Sequence, residues 1–147
     1  MPSVHTTTFI AAPPARVWAV LTDFDRYADW NPVIPQMRAE ARVGATAKFR
    51  ICLEGTPELR FAARVEQCDP ERAFSWRGGA PLVPALASGH HWFTLAPEGD
   101  GTRLTHGEDF QGLLALLVRG KAHARVTRSY DRLNAALKAR AEAAPST

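Results

Sequence analysis

Three side chains could carry chemistry: His91, His106 and Glu108. Each stands at an alternating position among apolar neighbours. His91, Phe93 and Leu95 share a face of one segment, and Leu104, His106, Glu108 and Phe110 share a face of the next. Period-two alternation is the signature of a half-buried strand, so the polar groups point toward the core, where lost hydration must be offset by partners. Between the segments, Glu98-Gly99-Asp100-Gly101 reads as a hairpin turn. Centring that turn on Gly99-Asp100 sets His91 opposite Glu108, Phe93 opposite His106 and Leu95 opposite Leu104. Directly opposed side chains have Cβ atoms about 4.5–5.5 Å apart. At that separation an imidazole and a carboxylate can satisfy each other, orient a ligand hydroxyl or carbonyl, or act as acid and base. In a dry site they would share one proton as a coupled unit. Two histidines and a carboxylate could also form a metal triad, but His106 and Glu108 lie two residues apart on one strand and nothing supplies a second shell, so no metal is expected. No Ser-His-Asp order, Gly-rich phosphate loop or GxGxxG after a strand occurs, which leaves hydrolase, kinase and dinucleotide chemistry without support and predicts no cofactor.

The elements that must hold these residues can be read from the same patterns. Val4 to Ile10, with β-branched threonines and Phe9, reads as a strand ending at Ala11-Ala12-Pro13-Pro14. Proline suits a first helical turn, and Val17, Trp18, Val20 and Leu21 then form one apolar face. Asp23 or Asp25 can cap a second short helix carrying Tyr27 and Trp30, which Asn31-Pro32 stops because the residue before proline is pushed out of the α region. After Pro35, Phe49, Ile51 and Leu53 alternate with Lys48, Arg50 and Cys52, and Leu59, Phe61, Ala63 and Val65 alternate with Arg60, Ala62, Arg64 and Glu66. Turns at Gly55-Thr56-Pro57 and Asp69-Pro70-Glu71 bound these strands, Phe74 and Trp76 mark another, and a loop is expected from Gly78-Gly79-Ala80-Pro81 to about Ser88. The C-terminal segment changes period: Val126, Tyr130, Leu133 and Leu137, extended by Ala122 and Ala141, make one long amphipathic helix. Ala143 to Thr147 is expected to fray. The result is an α+β order of strand, two short helices, about six antiparallel strands and a terminal helix.

Composition bounds the rest. A chain of 147 residues with 46% in the apolar set can build one full core over residues 1–147 without a disulfide framework or structural metal. Cys52 and Cys68 have no metal-ligand spacing and are expected as buried thiols. The longest apolar run, Leu113 to Val118, is far short of the about 20 residues a membrane span needs. The polar N-terminus lacks a signal-peptide stretch, so a cytoplasmic protein without stable membrane insertion is expected. Leu113 to Val118 still exceeds what one helix face buries, which predicts a gate at a cavity mouth or a contact in a homodimer. From Arg119 onward seven basic residues face two acidic ones. Tyr130 belongs to the apolar stripe and no aromatic residue is interleaved on the basic face for base stacking, so the expectation is a solvated helix face and no nucleic acid.

The chain resembles the START-related, Bet v 1-like superfamily, and within it the bacterial polyketide cyclase/dehydrase and lipid-transport group. The residues that carry the resemblance are Ile10-Ala11-Ala12-Pro13-Pro14-Ala15-Arg16-Val17-Trp18-Ala19-Val20-Leu21-Thr22-Asp23-Phe24, then Tyr27-Ala28-Asp29-Trp30-Asn31-Pro32, then Gly101-Thr102-Arg103-Leu104-Thr105-His106-Gly107-Glu108. What the resemblance implies is a helix-grip fold: a curved antiparallel sheet of about seven strands wrapped around the long C-terminal helix, as a single START-like domain. Such a sheet encloses space, and interiors of about 300–1,000 Å³ are ordinary small-molecule sites. Phe49, Ile51, Phe61, Val65, Phe74, Trp76, Phe93 and Phe110 would line the sheet side, with Val126, Tyr130 and Leu133 opposite and His91, His106 and Glu108 as the polar group. Three functions follow as expectations. The first is binding of a small hydrophobic molecule such as a lipid, polyketide or aromatic metabolite. The second is a cyclase or dehydratase using the polar group, and the third is a protein-interaction module built on the basic helix.

Overall fold

A computed structural model describes residues 3–79 and 87–143. The middle of the expected loop after Gly79 and the tail beyond Ala143 lie outside the described residues. Strand β1 (Ser3–Ile10) buries Val4, Thr6 and Ile10 by strict alternation. Helix α1 (Pro14–Thr22) follows with proline at its first position and buries Val17, Val20 and Leu21. Trp18 is half-buried, edge-on to Phe74. A 3-10 turn (Phe24–Arg26) leads into α2 (Tyr27–Trp30). Asp23 occupies the cap position of the 3-10 turn but makes no side-chain cap bond, and none starts α2, so the expected Asp23 or Asp25 cap is corrected. Tyr27 anchors the turn instead by donating its hydroxyl to the Leu21 carbonyl. Asn31 closes α2 with its side-chain oxygen, which accepts from the amides of Val33 at 3.0 Å and Ile34 at 2.8 Å.

The strands β2 (Gln36–Arg38), β3 (Thr46–Ile51), β4 (Leu59–Asp69), β5 (Ala73–Gly79), β6 (Ala87–Glu98) and β7 (Gly101–Gly112) join β1 in one antiparallel sheet of order β1-β7-β6-β5-β4-β3-β2. Three-residue β2 is too short for a periodic signal, which is why its position was not evident in the pattern. Gly78, Gly79 and Ser88, expected in a loop, belong to the ladder: Gly78 pairs with Gly89 and Gly79 with Ser88. Strand pairing overrides the low intrinsic preference of glycine for strands.

Helix α3 (Leu113–Leu117) sits between Gly112 (φ 64°) and Gly120 (φ 54°), backbone conformations that side chains disfavour. It buries Ala115 but leaves Leu113, Leu116 and Leu117 54%, 59% and 69% exposed. Helix α4 (Lys121–Glu142) crosses the sheet and buries Val126, Tyr130, Leu133, Leu137 and Ala141. It also buries Ser129 and Asn134, polar residues on the apolar face. Both cysteines are partly exposed, correcting the expectation of buried thiols. Cys68 faces a loop, where its thiol lies 3.2 Å from the Ala41 carbonyl.

Candidate functional site

Strands β6 and β7 pair in the register deduced from the turn, with His91 opposite Glu108, Phe93 opposite His106 and Leu95 opposite Leu104. His91 Nδ1 lies 2.8 Å from Glu108 Oε1, and the ring's other nitrogen, Nε2, lies 2.7 Å from His106 Nε2. Beyond His106 the contacts continue into the helix and the edge strand. His106 Nδ1 is 2.7 Å from Asn134 Oδ1, Asn134 Nδ2 donates to Thr6 Oγ1 at 2.7 Å, and Thr6 donates to the His106 carbonyl at 2.8 Å. At the opposite end Tyr130 donates its hydroxyl to Glu108 Oε1 at 2.7 Å. Three strands and α4 thereby contribute to one polar chain.

Aromatic rings enclose it. Trp76 stacks on His91 at 4.4 Å, and Phe93 and Tyr130 both stack on His106, at 4.2 and 4.5 Å. His106 is wholly buried, His91 nearly so, and the Glu108 side chain is 14% exposed. Burial, reinforced by the charge of His91 and opposed by the Asn134 bond, holds the His106 imidazole well below its usual titration range. It is therefore neutral at physiological pH. Burial, then the charge of Glu108 and its hydrogen bond, pushes the Tyr130 hydroxyl well above the ordinary phenol range, so it remains a donor.

Glu108 is where the chain meets open space. A void of about 50 Å³ is lined by Phe49, Ile51, Phe61, Trp76, Gly78, Gly89, His91 and Glu108. That is far smaller than the interior expected for this fold. Rings fill the difference: Trp76 lies 5.5 Å from Phe49 and 5.8 Å from Phe93, and Phe49 lies 6.1 Å from Phe61. Phe49 and Phe61 also border a groove of about 480 Å³ rimmed by Arg38, Lys48, Arg50 and Arg60.

Among the residues expected at the site, Phe49, Ile51, Phe61, Trp76, His91 and Glu108 surround the void. His106 and Tyr130 stand behind it in the polar chain. Phe74 packs against Trp18 and Phe24, and Phe93 against His106, while Phe110 and Val126 are buried without bordering the void. Sequence reasoning missed Thr6, Asn134, Gly78 and Gly89. Asn134 had a usable signal, since it lies four residues after Tyr130 and so on the same helix face.

Over residues 1–142 the chain matches the family described as "Polyketide cyclase / dehydrase and lipid transport", and it belongs to that family. No curated protein matches it in sequence. Solved structures share its fold. TTHA0849 from Thermus thermophilus is 20% identical, with 99% of this chain and 100% of that one covered at a TM-score of 0.77. The Zhui aromatase/cyclase from Streptomyces sp. R1128 is 22% identical, with 96% and 93% covered at 0.75. Ara h 8.0201 is 10% identical, with 95% and 97% covered at 0.72. The helix-grip, Bet v 1-like fold expected from the resemblance is thus present, and no helix among the described residues is long and apolar enough to cross a membrane.

Proposed function

We propose that the protein binds a small hydrophobic molecule of the lipid, polyketide or aromatic-metabolite class between its sheet and α4, residues 1–147 acting as one cytoplasmic START-like domain. The observation that carries this reading is the convergence of Phe49, Ile51, Phe61 and Trp76 on the one partly exposed carboxylate of a buried polar chain. Because a void of about 50 Å³ has room for only about one or two molecules the size of water, a ligand the size of one ring gains space by turning Phe61, which is half-buried and borders the outer groove. Native mass spectrometry after gentle purification, with a panel of fluorescent lipids and aromatic probes, tests the reading. A retained or exchangeable small molecule supports it. A chain that carries nothing and binds no probe overturns it.

A cyclase or dehydratase-type reaction is the second reading, favoured by the depth of the constellation. His91 and Glu108 can exchange a proton with a bound carbonyl or hydroxyl while His106 and Asn134 hold the imidazole in place. The exposed leucines of α3 offer the surface at which a second copy would associate, and sedimentation velocity across protein concentration reads that association directly.

A further inference from the structure

We infer that Thr6 and Asn134 are positioning residues that fix His91 to donate from Nε2, leave a single proton between His91 and Glu108, and present Glu108 Oε2 to the hydroxyl of a neutral apolar ligand such as a phenol or enol. This rests on the ligand-binding reading above.

The direction of the chain follows from its anchored end. A backbone carbonyl only accepts, so the Thr6 hydroxyl must spend its hydrogen on the His106 carbonyl and offer its lone pairs to Asn134. Asn134 therefore turns its amide nitrogen to Thr6 and its oxygen to His106. An amide oxygen only accepts, so His106 carries its hydrogen on Nδ1. A neutral imidazole then has a lone pair on Nε2. His91 must fill that lone pair from its own Nε2, which leaves His91 Nδ1 facing Glu108 Oε1 at 2.8 Å. Two lone pairs at that distance would repel. One proton between them resolves the contact, whether it resides on nitrogen or oxygen, and the pair is neutral overall in either case.

The free oxygen then sets the ligand class. Oε1 already receives Tyr130 and shares the His91 proton, whereas Oε2 has no hydrogen-bond partner among the described residues. It lies so close to Gly89 that a β-carbon there would be 2.3 Å away, and both groups line the void. Among the described residues, Phe49, Ile51, Phe61 and Trp76 supply the remaining side-chain walls, and no lysine or arginine lines the void. Neither an anion nor a cation would find compensation beside a neutral pair in such surroundings. A neutral hydroxyl donates to Oε2 without that cost.

Imidazole ¹⁵N spectra of the full chain, combined with titrations of phenol and methoxybenzene followed at the Trp76 indole, test the inference. In the ligand-free protein His106 is expected to be neutral with hydrogen on Nδ1, and His91 to carry hydrogen on Nε2. Hydrogen on His106 Nε2 instead overturns the positioning step with no variant required. In Asn134→Asp, a carboxylate of the same shape favours a charged His106 that donates from both nitrogens, so the His91 hydrogen moves to Nδ1. A folded Asn134→Asp with unchanged His91 signals overturns the role of Asn134. If that variant fails to fold, Thr6→Val is read by the same signals, and a His106 tautomer as fixed as in the native chain counts against the anchor. Phenol is expected to bind about tenfold more tightly than methoxybenzene, the worth of one hydrogen bond to a charged or polarised acceptor. Equal affinities at Trp76 overturn the ligand class and spare the apolar site. No response to either probe overturns the ligand-binding reading itself, while the tautomers still report on the chain.

Discussion

Glu108 Oε2 occupies the space that a side chain on Gly89 would need, since a β-carbon at Gly89 would lie 2.3 Å from that oxygen. Gly89→Ala must therefore displace the carboxylate, and with it the 2.8 Å contact to His91 and the 2.7 Å bond from Tyr130. The expected cost is roughly 1–3 kcal/mol, typical of overpacking a closed site. Thermal unfolding and the His91 imidazole signals check it, and a variant with native stability and unshifted signals would show that the carboxylate has room to move.

The protonation of His106 makes stability depend on pH. Its folded-state pKa lies well below the ordinary value of 6.5, chiefly through burial. Above about pH 6.5 neither state takes up a proton at this residue, and its contribution is flat. Below it the unfolded chain binds a proton that the folded chain refuses, so stability falls with pH by at most roughly 1.4 kcal/mol per unit until the folded pKa is reached. Urea denaturation between pH 7 and 5 should show this slope in the native chain and a shallower one in His106→Gln. Identical slopes would mean that His106 is charged or solvated in the fold.

The face of α4 gives a sharper contrast. Leu133 is fully buried against the sheet, so Leu133→Ala is expected to cost about 2–5 kcal/mol. Neighbouring Arg132 is exposed, and Arg132→Ala should stay within about 0.5 kcal/mol. Similar melting temperatures for the two variants would contradict the assigned face.

Local patterns made much of this legible. Because a two-residue turn fixes the register of a hairpin, locating Gly99-Asp100 was enough to set His91 against Glu108, and the 3.6 period was enough to aim Tyr130 and Leu133 at the sheet. The less visible parts depend on contacts between distant segments. Thr6 is 128 residues from Asn134, and nothing near either one reveals the bond between them. Gly78 reads as loop punctuation in the sequence, yet it pairs with Gly89 in the ladder, where a β-carbon would lie 3.0 Å from the Ala62 carbonyl oxygen and from Ala63 Cβ on distant β4. The size of the void depends on how Trp76, Phe49 and Phe61 interdigitate, a property of packing rather than of composition.

The donor order around Glu108 predicts different costs for two substitutions at one position. In Glu108→Gln the amide nitrogen can take the place of Oε1 and give a hydrogen to His91 Nδ1, leaving the amide oxygen toward the void, while the Tyr130 hydroxyl loses its acceptor. The expected cost is that of one unsatisfied buried hydroxyl, about 1–3 kcal/mol. Glu108→Ala removes every partner at once and strands a buried imidazole nitrogen and a buried hydroxyl, each costing about 1–3 kcal/mol. Chemical denaturation of both variants, and of each combined with Tyr130→Phe, measures the difference. In the combined variants Tyr130→Phe should lessen the penalty of Glu108→Ala, because the stranded hydroxyl is gone. The same pair separates a binder from a catalyst: Glu108→Gln keeps an acceptor for a ligand hydroxyl but has no proton to exchange, so it should retain binding while losing any acid–base turnover. Equal destabilisation by glutamine and alanine would mean that the carboxylate's charge, rather than its pattern of accepted hydrogens, holds the site together.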